Sequence, residues 1–370
     1  MTAHQQRLAD LRARIADTAE VGSLLVSDLT NVRWLSGFTG SSGVLALDGT
    51  AVVLFTDGRY GVQAAQQTST CGLDVDIRVA PTAAGLHDLL ADWCRTAVGP
   101  VGFESEHVSV ALHQRWTAAA NVQFAAMRGL VEAGRRTKHH TEVERIEEAC
   151  GIADRALADV APRITAGVTE VEVRNMLEVR MRELGAAGPS YETIVAAGPL
   201  HAALPHHRPA QRRLEEGDTL IIDVGALVDG YHSDMTRTFV IGEPSEEQLD
   251  AYALVLESQR AGLDAVGPGV PARHIDAACR SVIERAGRGD WFSHGTGHGV
   301  GLLIHEEPYL NRVSEAVLQP GDVVTVEPGV YREGFGGVRI EDLVLVTADG
   351  SRRLTASPKD SPCLPSPPTT

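Results

Sequence analysis

The chain has 370 residues, room for two or three domains at roughly 150 residues each. Its 33 Lys and Arg against 49 Asp and Glu leave a net charge of −16, a field that opposes nucleic acid or an anionic membrane surface as a partner. Hydrophobic residues at 43% and charged residues at 22% supply a buried core and exclude global disorder.

The opening MTAHQQRLADLRARIADTAE mixes acids, bases and glutamine without an apolar stretch, so it does not read as a secretory signal. No later run approaches the roughly 20 apolar residues that span a bilayer. A soluble, cytoplasmic protein is expected. Residues 1–132 alternate helical periodicity with the β-rich runs VGSLLVS, SGVLALDG, AVVLFTDG and VGFES, which predicts an α/β domain. EAGRRTKHHTEVERIEEA then turns abruptly to charged helix formers, with Thr141 and Glu144 in capping-box spacing, and the domain boundary is placed there, between 132 and 133. A larger α/β unit follows over 133–356. The tail SPKDSPCLPSPPTT, 357–370, is rich in Pro and Ser and is expected to be disordered. Cys71, Cys94, Cys150, Cys279 and Cys363 are scattered without a CxxC pair, which fits free thiols in a reducing compartment.

The second unit contains an internal duplication. GDTLIIDVG (217–225) aligns with GDVVTVEPG (321–329), Gly230-Tyr-His-Ser-Asp234 with Gly337-Val-Arg-Ile-Glu341, and AGVTE (166–170) with PGVPA (268–272). The offsets are 102 from Gly167 to Gly269, 104 from Asp223 to Glu327 and 107 from Asp234 to Glu341. This order predicts two copies of a helix–helix–hairpin unit. Each copy supplies two carboxylates, Asp223 and Asp234 from the first, Glu327 and Glu341 from the second. Asp223 and Glu327 end apolar runs that read as buried strands, where an ionised acid is costly unless something positive meets it. An acid before Gly is by itself more often a strand emerging into solvent. Two hairpins related by a pseudo-twofold axis instead bring four acids to one centre, and four carboxylates cannot stay ionised together without cations.

A histidine cluster joins them in SHGTGHGVGLLIHEEP (293–308), which holds His294, His298 and His305. Its glycines disfavour a helix, whereas in an extended chain positions 294, 296 and 298 share a face. The same glycines allow backbone to approach a ligand closely. HEEPY is not HExxH, no frame gives GxGxxG, and neither a P-loop nor a GxSxG elbow is present, which removes zincin, dinucleotide, phosphate-loop and serine-hydrolase readings. Oxygen-rich ligation with one imidazole favours Mn²⁺, Mg²⁺ or Fe²⁺. Such a set can hold two metals about 3.5 Å apart that bridge and acidify a water, so hydrolysis is the natural output.

The ordered set DVG…GYHSDMTRTF…GHGVGLLIHEEP…VEPGVY…GGVRIED resembles the pita-bread metallopeptidases. GFTGSSG and TDGRY, upstream, resemble the N-terminal domain of Xaa-Pro aminopeptidases (aminopeptidase P) and Xaa-Pro dipeptidases (prolidases). The resemblance runs over about 25–356. It implies an N-terminal creatinase/prolidase-like α/β domain and a C-terminal duplicated pita-bread α+β catalytic domain. It implies Asp223, Asp234, His298, Glu327 and Glu341 as ligands of two divalent ions, most often Mn²⁺ in the family. His206 matches the histidine lying over the metals, and His305 the one that stabilises the tetrahedral intermediate. His294, Tyr331 and Arg339 match positions that contact the substrate proline, although Arg339 equally serves to neutralise surplus negative charge. His201 and His207 have no family counterpart and read as solvated surface residues.

The implied reaction is attack of a bridging hydroxide on the Xaa-Pro carbonyl, Glu327 relaying the proton to the leaving nitrogen; the partners are proline-containing peptides and, by family habit, a second copy in a homodimer. Methionine aminopeptidase shares the centre but usually lacks the N-terminal blocks. A non-catalytic pita-bread binding protein would be expected to have lost ligands, and a hydrolase of non-peptide amides is separable only by substrate. Between the two Xaa-Pro activities, the absence of a basic residue in 291–311 other than the histidines, and the resemblance of the N-terminal blocks to aminopeptidase P, favour cleavage of longer peptides over dipeptides.

Overall fold

The structure, a computed structural model, describes residues 1–97 and 99–365. It divides into two compact units, Met1–Arg135 and Arg136–Thr370, so the division falls at 135/136 rather than 132/133.

In the first unit the four β-rich runs form β1 (Ser23–Val26), β2 (Gly43–Asp48), β3 (Val52–Asp57) and β5 (Val101–Glu104), and two strands that the sequence pattern does not mark, β4 (Asp76–Ala80) and β6 (Phe124–Met127), complete a six-stranded sheet. Its order is β4-β3-β2-β1-β5-β6, with β1–β2 and β2–β3 antiparallel and the other pairs parallel. β1 and β3 are buried along their whole length, as strands covered on both faces must be. Helices Ala83–Thr96 and Val110–Ala120 pack Leu86, Leu90, Trp93 and Trp116 against Leu25, Val44, Val53 and Phe55.

The second unit carries the duplication as two layered halves. The first half has helices His140–Val160 and Glu170–Glu183 and strands β7 (Gly188–Pro189), β8 (Ile194–Ala197), β9 (Thr219–Asp223), β10 (Ala226–Val228), β11 (Tyr231–His232) and β12 (Thr236–Val240). Helices Glu246–Ala265 and Ala272–Arg285 open the second half. Its strands are β13 (Gly297–Gly299), β14 (Glu306–Leu310), β15 (Val323–Val326), β16 (Gly329–Arg332), β17 (Gly336–Arg339), β18 (Asp342–Val346) and β19 (Ser351–Arg353). The sheets run β12-β9-β8, β11-β10-β7, β14-β13-β15-β18-β19 and β16-β17. Each helix pair buries its apolar stripe on its own hairpin: Ile152, Leu157, Val173 and Leu177 on Leu220 and Ile222, and Val255, Ile275 and Ile283 on Val324, Val326 and Val344. Ile222 faces Arg237 in one hairpin and Val326 faces Asp342 in the other. Glu341, one residue before Asp342, therefore takes the register position of Thr236, and Asp234 and Glu341 are not strict equivalents.

Two local expectations are corrected. Helix His140–Val160 starts before Thr141, and Glu142 rather than Glu144 reaches back, accepting from His139 N at 3.0 Å. The earlier start lets Glu142 also accept from the buried Tyr231 hydroxyl at 2.7 Å, a tertiary contact that capping spacing does not encode.

The tail is the other correction for residues 357–365; residues 366–370 lie outside the described residues. Ser357 and Lys359 are buried. Arg237, itself buried, donates from Nη2 to Ser357 O at 2.7 Å and to Asp342 Oδ1 at 2.8 Å, while Lys359 Nζ pairs with Asp342 and donates to Gln259 Oε1 at 2.6 Å. Asp154 accepts from Ser357 N at 2.8 Å, and Val240 N donates to Pro362 O at 2.8 Å. A segment too polar to form a core is ordered because it satisfies charges buried by others. Ending the chain after Ala356 should lower stability by about 3 kcal/mol or more, because buried Arg237 and Asp342 lose partners. An unchanged urea midpoint would show the segment to be a passenger.

Candidate metal centre

Both hairpins deliver their acids to one cavity of about 530 Å³. Asp223 ends β9, Asp234 precedes β12, Glu327 follows β15, Glu341 lies between β17 and β18, and His298 is the middle residue of β13; all five line the cavity. The glycines beside His298 are required by strand packing. A Cβ on Gly297 would stand 2.0 Å from Thr325 O and one on Gly299 2.4 Å from Glu307 O. They admit neighbouring backbone, where the sequence suggested a ligand.

His298 Nδ1 donates to Gly299 O at 3.1 Å, which turns Nε2 toward the acids, 3.4 Å from Glu327 Oε1 and 3.6 Å from Asp234 Oδ2. Ligand atoms of Asp234, His298 and Glu341 all lie within 4.8 Å of one another. Burial, reinforced by Asp223 and Glu327, pushes the Asp234 carboxyl well above the usual carboxylate range. Glu341 is pushed the same way by burial and then by Asp234, Glu327 and Asp223. Arg339 offsets part of this, donating to Asp223 Oδ2 at 2.7 Å, but one guanidinium cannot neutralise four acids. Hard oxygen donors with one imidazole fit divalent cations of the Mn²⁺ and Mg²⁺ kind.

Sequence reasoning misses Tyr191. Its buried hydroxyl bonds both Asp223 and Asp234, joining two acids 32 and 43 residues away. Nothing local to Ser190-Tyr191 signals this. Thr236 escapes it too; its hydroxyl donates to Glu341 Oε2 at 2.8 Å and accepts from Arg339 Nε at 3.0 Å.

A second chain of contacts runs beside the acids. Arg339 Nη1 donates to the Tyr331 hydroxyl at 2.9 Å, and that hydroxyl donates to His294 Nε2 at 2.9 Å, because His294 Nδ1 is committed to Gly295 O at 2.8 Å. Burial lowers the His294 pKa, keeping the ring neutral, and raises the Tyr331 hydroxyl to about 12. His305 stands edge-on to His298 with ring centroids 4.4 Å apart; burial and then His298 lower its pKa. His206 lines the cavity with Arg208, which pairs with Glu192. His201 and His207 are not solvated surface residues: both bond the buried Glu170, at 2.9 and 3.1 Å. A carboxylate without water needs donors, and these rings supply them.

A set of four carboxylates and one imidazole lining one cavity of a duplicated hairpin fold is the kind of centre that serves metal-dependent hydrolysis. Residues 144–348 match metallopeptidase family M24 and residues 7–137 match the creatinase/prolidase N-terminal domain. The chain belongs to metallopeptidase family M24. It is 42% identical over 254 residues to the Xaa-Pro dipeptidase of Pyrococcus furiosus, covering 68% of this chain and 73% of that one. The fold matches a solved Xaa-Pro dipeptidase from Bacillus anthracis with a TM-score of 0.93 at 37% identity, over 97% of this chain and 99% of the other. It also matches an X-Pro aminopeptidase from Thermotoga maritima with a TM-score of 0.85 at 34% identity, over 92% and 97% of the two chains. Among the described residues no helix is long and apolar enough to cross a membrane.

Proposed function

We propose that this chain hydrolyses the Xaa-Pro bond at the N-terminus of peptides, with Asp223, Asp234, His298, Glu327 and Glu341 holding two divalent ions, Mn²⁺ first among them. The observation that carries the reading is the convergence of these five donors in one cavity with His294 and Arg339, which Tyr331 links from behind. Bound divalent ions would acidify a water and polarise the scissile carbonyl. Glu327 takes the proton from the attacking water and delivers it to the leaving proline nitrogen. His305, on the cavity wall, donates to the developing oxyanion. His206 lines the cavity wall, and neutral His294, held by Tyr331, presents an uncharged face to the proline ring. Tyr191→Phe should weaken divalent-ion binding roughly ten- to hundred-fold, since it frees two ligand carboxylates from a shared donor. Competition titration against a chelator reads this directly, and unchanged affinity would remove Tyr191 from the centre.

Chain length turns on what meets the group beyond proline. Arg339 and Arg208 both line the cavity, and each already holds a carboxylate, Asp223 and Glu192. That supports peptides extended past proline, whose next group is an uncharged amide rather than a free carboxylate. A dipeptidase reading is favoured by the exposure of the Arg208–Glu192 pair, whose side chains are 75% and 46% accessible. Such a pair is worth at most about 1 kcal/mol, so a substrate carboxylate can replace Glu192. The names of the Pyrococcus and Bacillus relatives point the same way. With Mn²⁺ present, Ala-Pro-Ala is expected to be cleaved faster than Ala-Pro, and Ala-Ala-Ala hardly at all. Faster cleavage of Ala-Pro, with Arg208→Ala raising its KM roughly ten-fold while sparing Ala-Pro-Ala, establishes the dipeptidase instead.

A further inference from the structure

Pro205, His206 and Arg208 of the segment 197–210 line the cavity, and one carboxylate meets that segment at four points. Glu170, the first residue of helix Glu170–Glu183, is fully buried. One of its oxygens accepts from Ala197 N at 2.8 Å and His201 Nδ1 at 2.9 Å; the other accepts from Ala210 N at 2.9 Å and His207 Nε2 at 3.1 Å. Both ends of the segment and two points between them thus converge on one side chain. Within this clasp, Pro205 O accepts from Arg339 Nη1 at 3.0 Å, and His206 and Arg208 face the cavity.

Two histidines and a glutamate with ligand atoms within 4.8 Å of one another also make a donor set for a transition metal. The geometry argues against it. The imidazoles are stacked, centroids 4.1 Å apart and planes at 25°, so their in-plane lone pairs lie in two nearly parallel, offset planes, whereas an ion needs both to point at one place. Each carboxylate oxygen, moreover, already holds a backbone N–H and an imidazole N–H.

We propose that Glu170, His201 and His207 form a positioning cluster that sets the cavity wall bearing Pro205, His206 and Arg208, and through it the binding of substrate. None of the three touches the five acid and imidazole donors, so the effect falls on KM rather than on kcat or metal content. This rests on the Xaa-Pro reading for its kinetic consequence. The His201→Ala/His207→Ala variant should raise KM for the better Xaa-Pro substrate roughly ten-fold, with kcat within about two-fold of the parent and metal content unchanged. His201→Asn/His207→Gln, which returns amide N–H groups near the Nδ1 and Nε2 positions, should restore KM. A folded double-alanine variant with unaltered KM overturns the proposal. So does loss of one Zn²⁺ per chain from that variant after zinc loading, which assigns the cluster to a metal. If the parent chain cleaves no Xaa-Pro peptide, the functional reading is what fails. Amide exchange then tests the clasp alone: residues 197–210 should exchange faster in the alanine variant and recover in the Asn/Gln variant, and equal exchange overturns it.

Discussion

Glu327→Gln is expected to lower kcat on Ala-Pro-Ala by at least about 100-fold while changing KM little. The amide keeps the shape and one oxygen donor of the carboxylate but cannot accept the proton of the attacking water or pass it on. Its neighbours make the comparison clean. Glu327 accepts from Thr325 Oγ1 at 3.2 Å and lies 3.4 Å from His298 Nε2, contacts that an amide oriented by the same threonine preserves. Metal analysis of the variant separates a lost proton carrier from a lost ligand, since only the second lowers the bound-metal count. Full-rate cleavage by Glu327→Gln with metal in place would remove Glu327 from the proton path and leave the proposed chemistry without its base.

Relative to an Asp234→Asn/Glu341→Gln chain, the metal-free chain should lose stability as pH rises, and divalent ions should return it. Burial and like charge hold Asp234 and Glu341 protonated well above the usual carboxylate range. Their folded pKa values therefore lie above their unfolded ones, and the native state binds more protons than the unfolded state between the two. Below the ordinary carboxylate range both states are protonated and nothing is lost. Through the window above it, each such group lowers stability by about 1.4 kcal/mol per pH unit, levelling off once the folded carboxyl also ionises. A cation favours the ionised form, so the gain in Tm on adding Mn²⁺ should be larger at pH 8 than at pH 5.5. Calorimetry in chelator and in Mn²⁺ reads both slopes. An Asp234→Asn/Glu341→Gln chain should show neither the metal-free decline nor the pH-dependent rescue. A metal-free Tm that does not fall relative to that variant's from pH 5.5 to 8 would contradict the electrostatics described for the centre.

The acids and His298 are legible in the sequence because each sits at a strand end or on a strand, and because the hairpin carrying the acids occurs twice. An apolar run closed by an acid is weak evidence alone; its recurrence 104 residues later makes a centre more plausible than a solvated surface. Glycines 297 and 299 stand out in the sequence for a different reason from the one that requires them, since only the fold shows that Thr325 O and Glu307 O press on them. Tyr191 carries no signal. A tyrosine after Pro189-Ser190 looks like any other until β9 and the turn before β12 bring Asp223 and Asp234 to its hydroxyl. The Pro-rich segment beyond Ala356 misleads for a related reason: composition reports that it cannot bury itself, not that Arg237 and Asp342 need it.

By itself the sequence determined four of the six strands of the first unit, the doubled helix–helix–hairpin plan of the second and the donor types, because these follow from periodicity, strand-end chemistry and repetition within short windows. Only tertiary structure decided which polar groups answer one another: Arg339 with Asp223, Glu170 with His201 and His207, Lys359 with Asp342. A buried charge is tolerated only where a partner arrives, and these partners come from 17 to 116 residues away. Local sequence records the need for a partner but not its address.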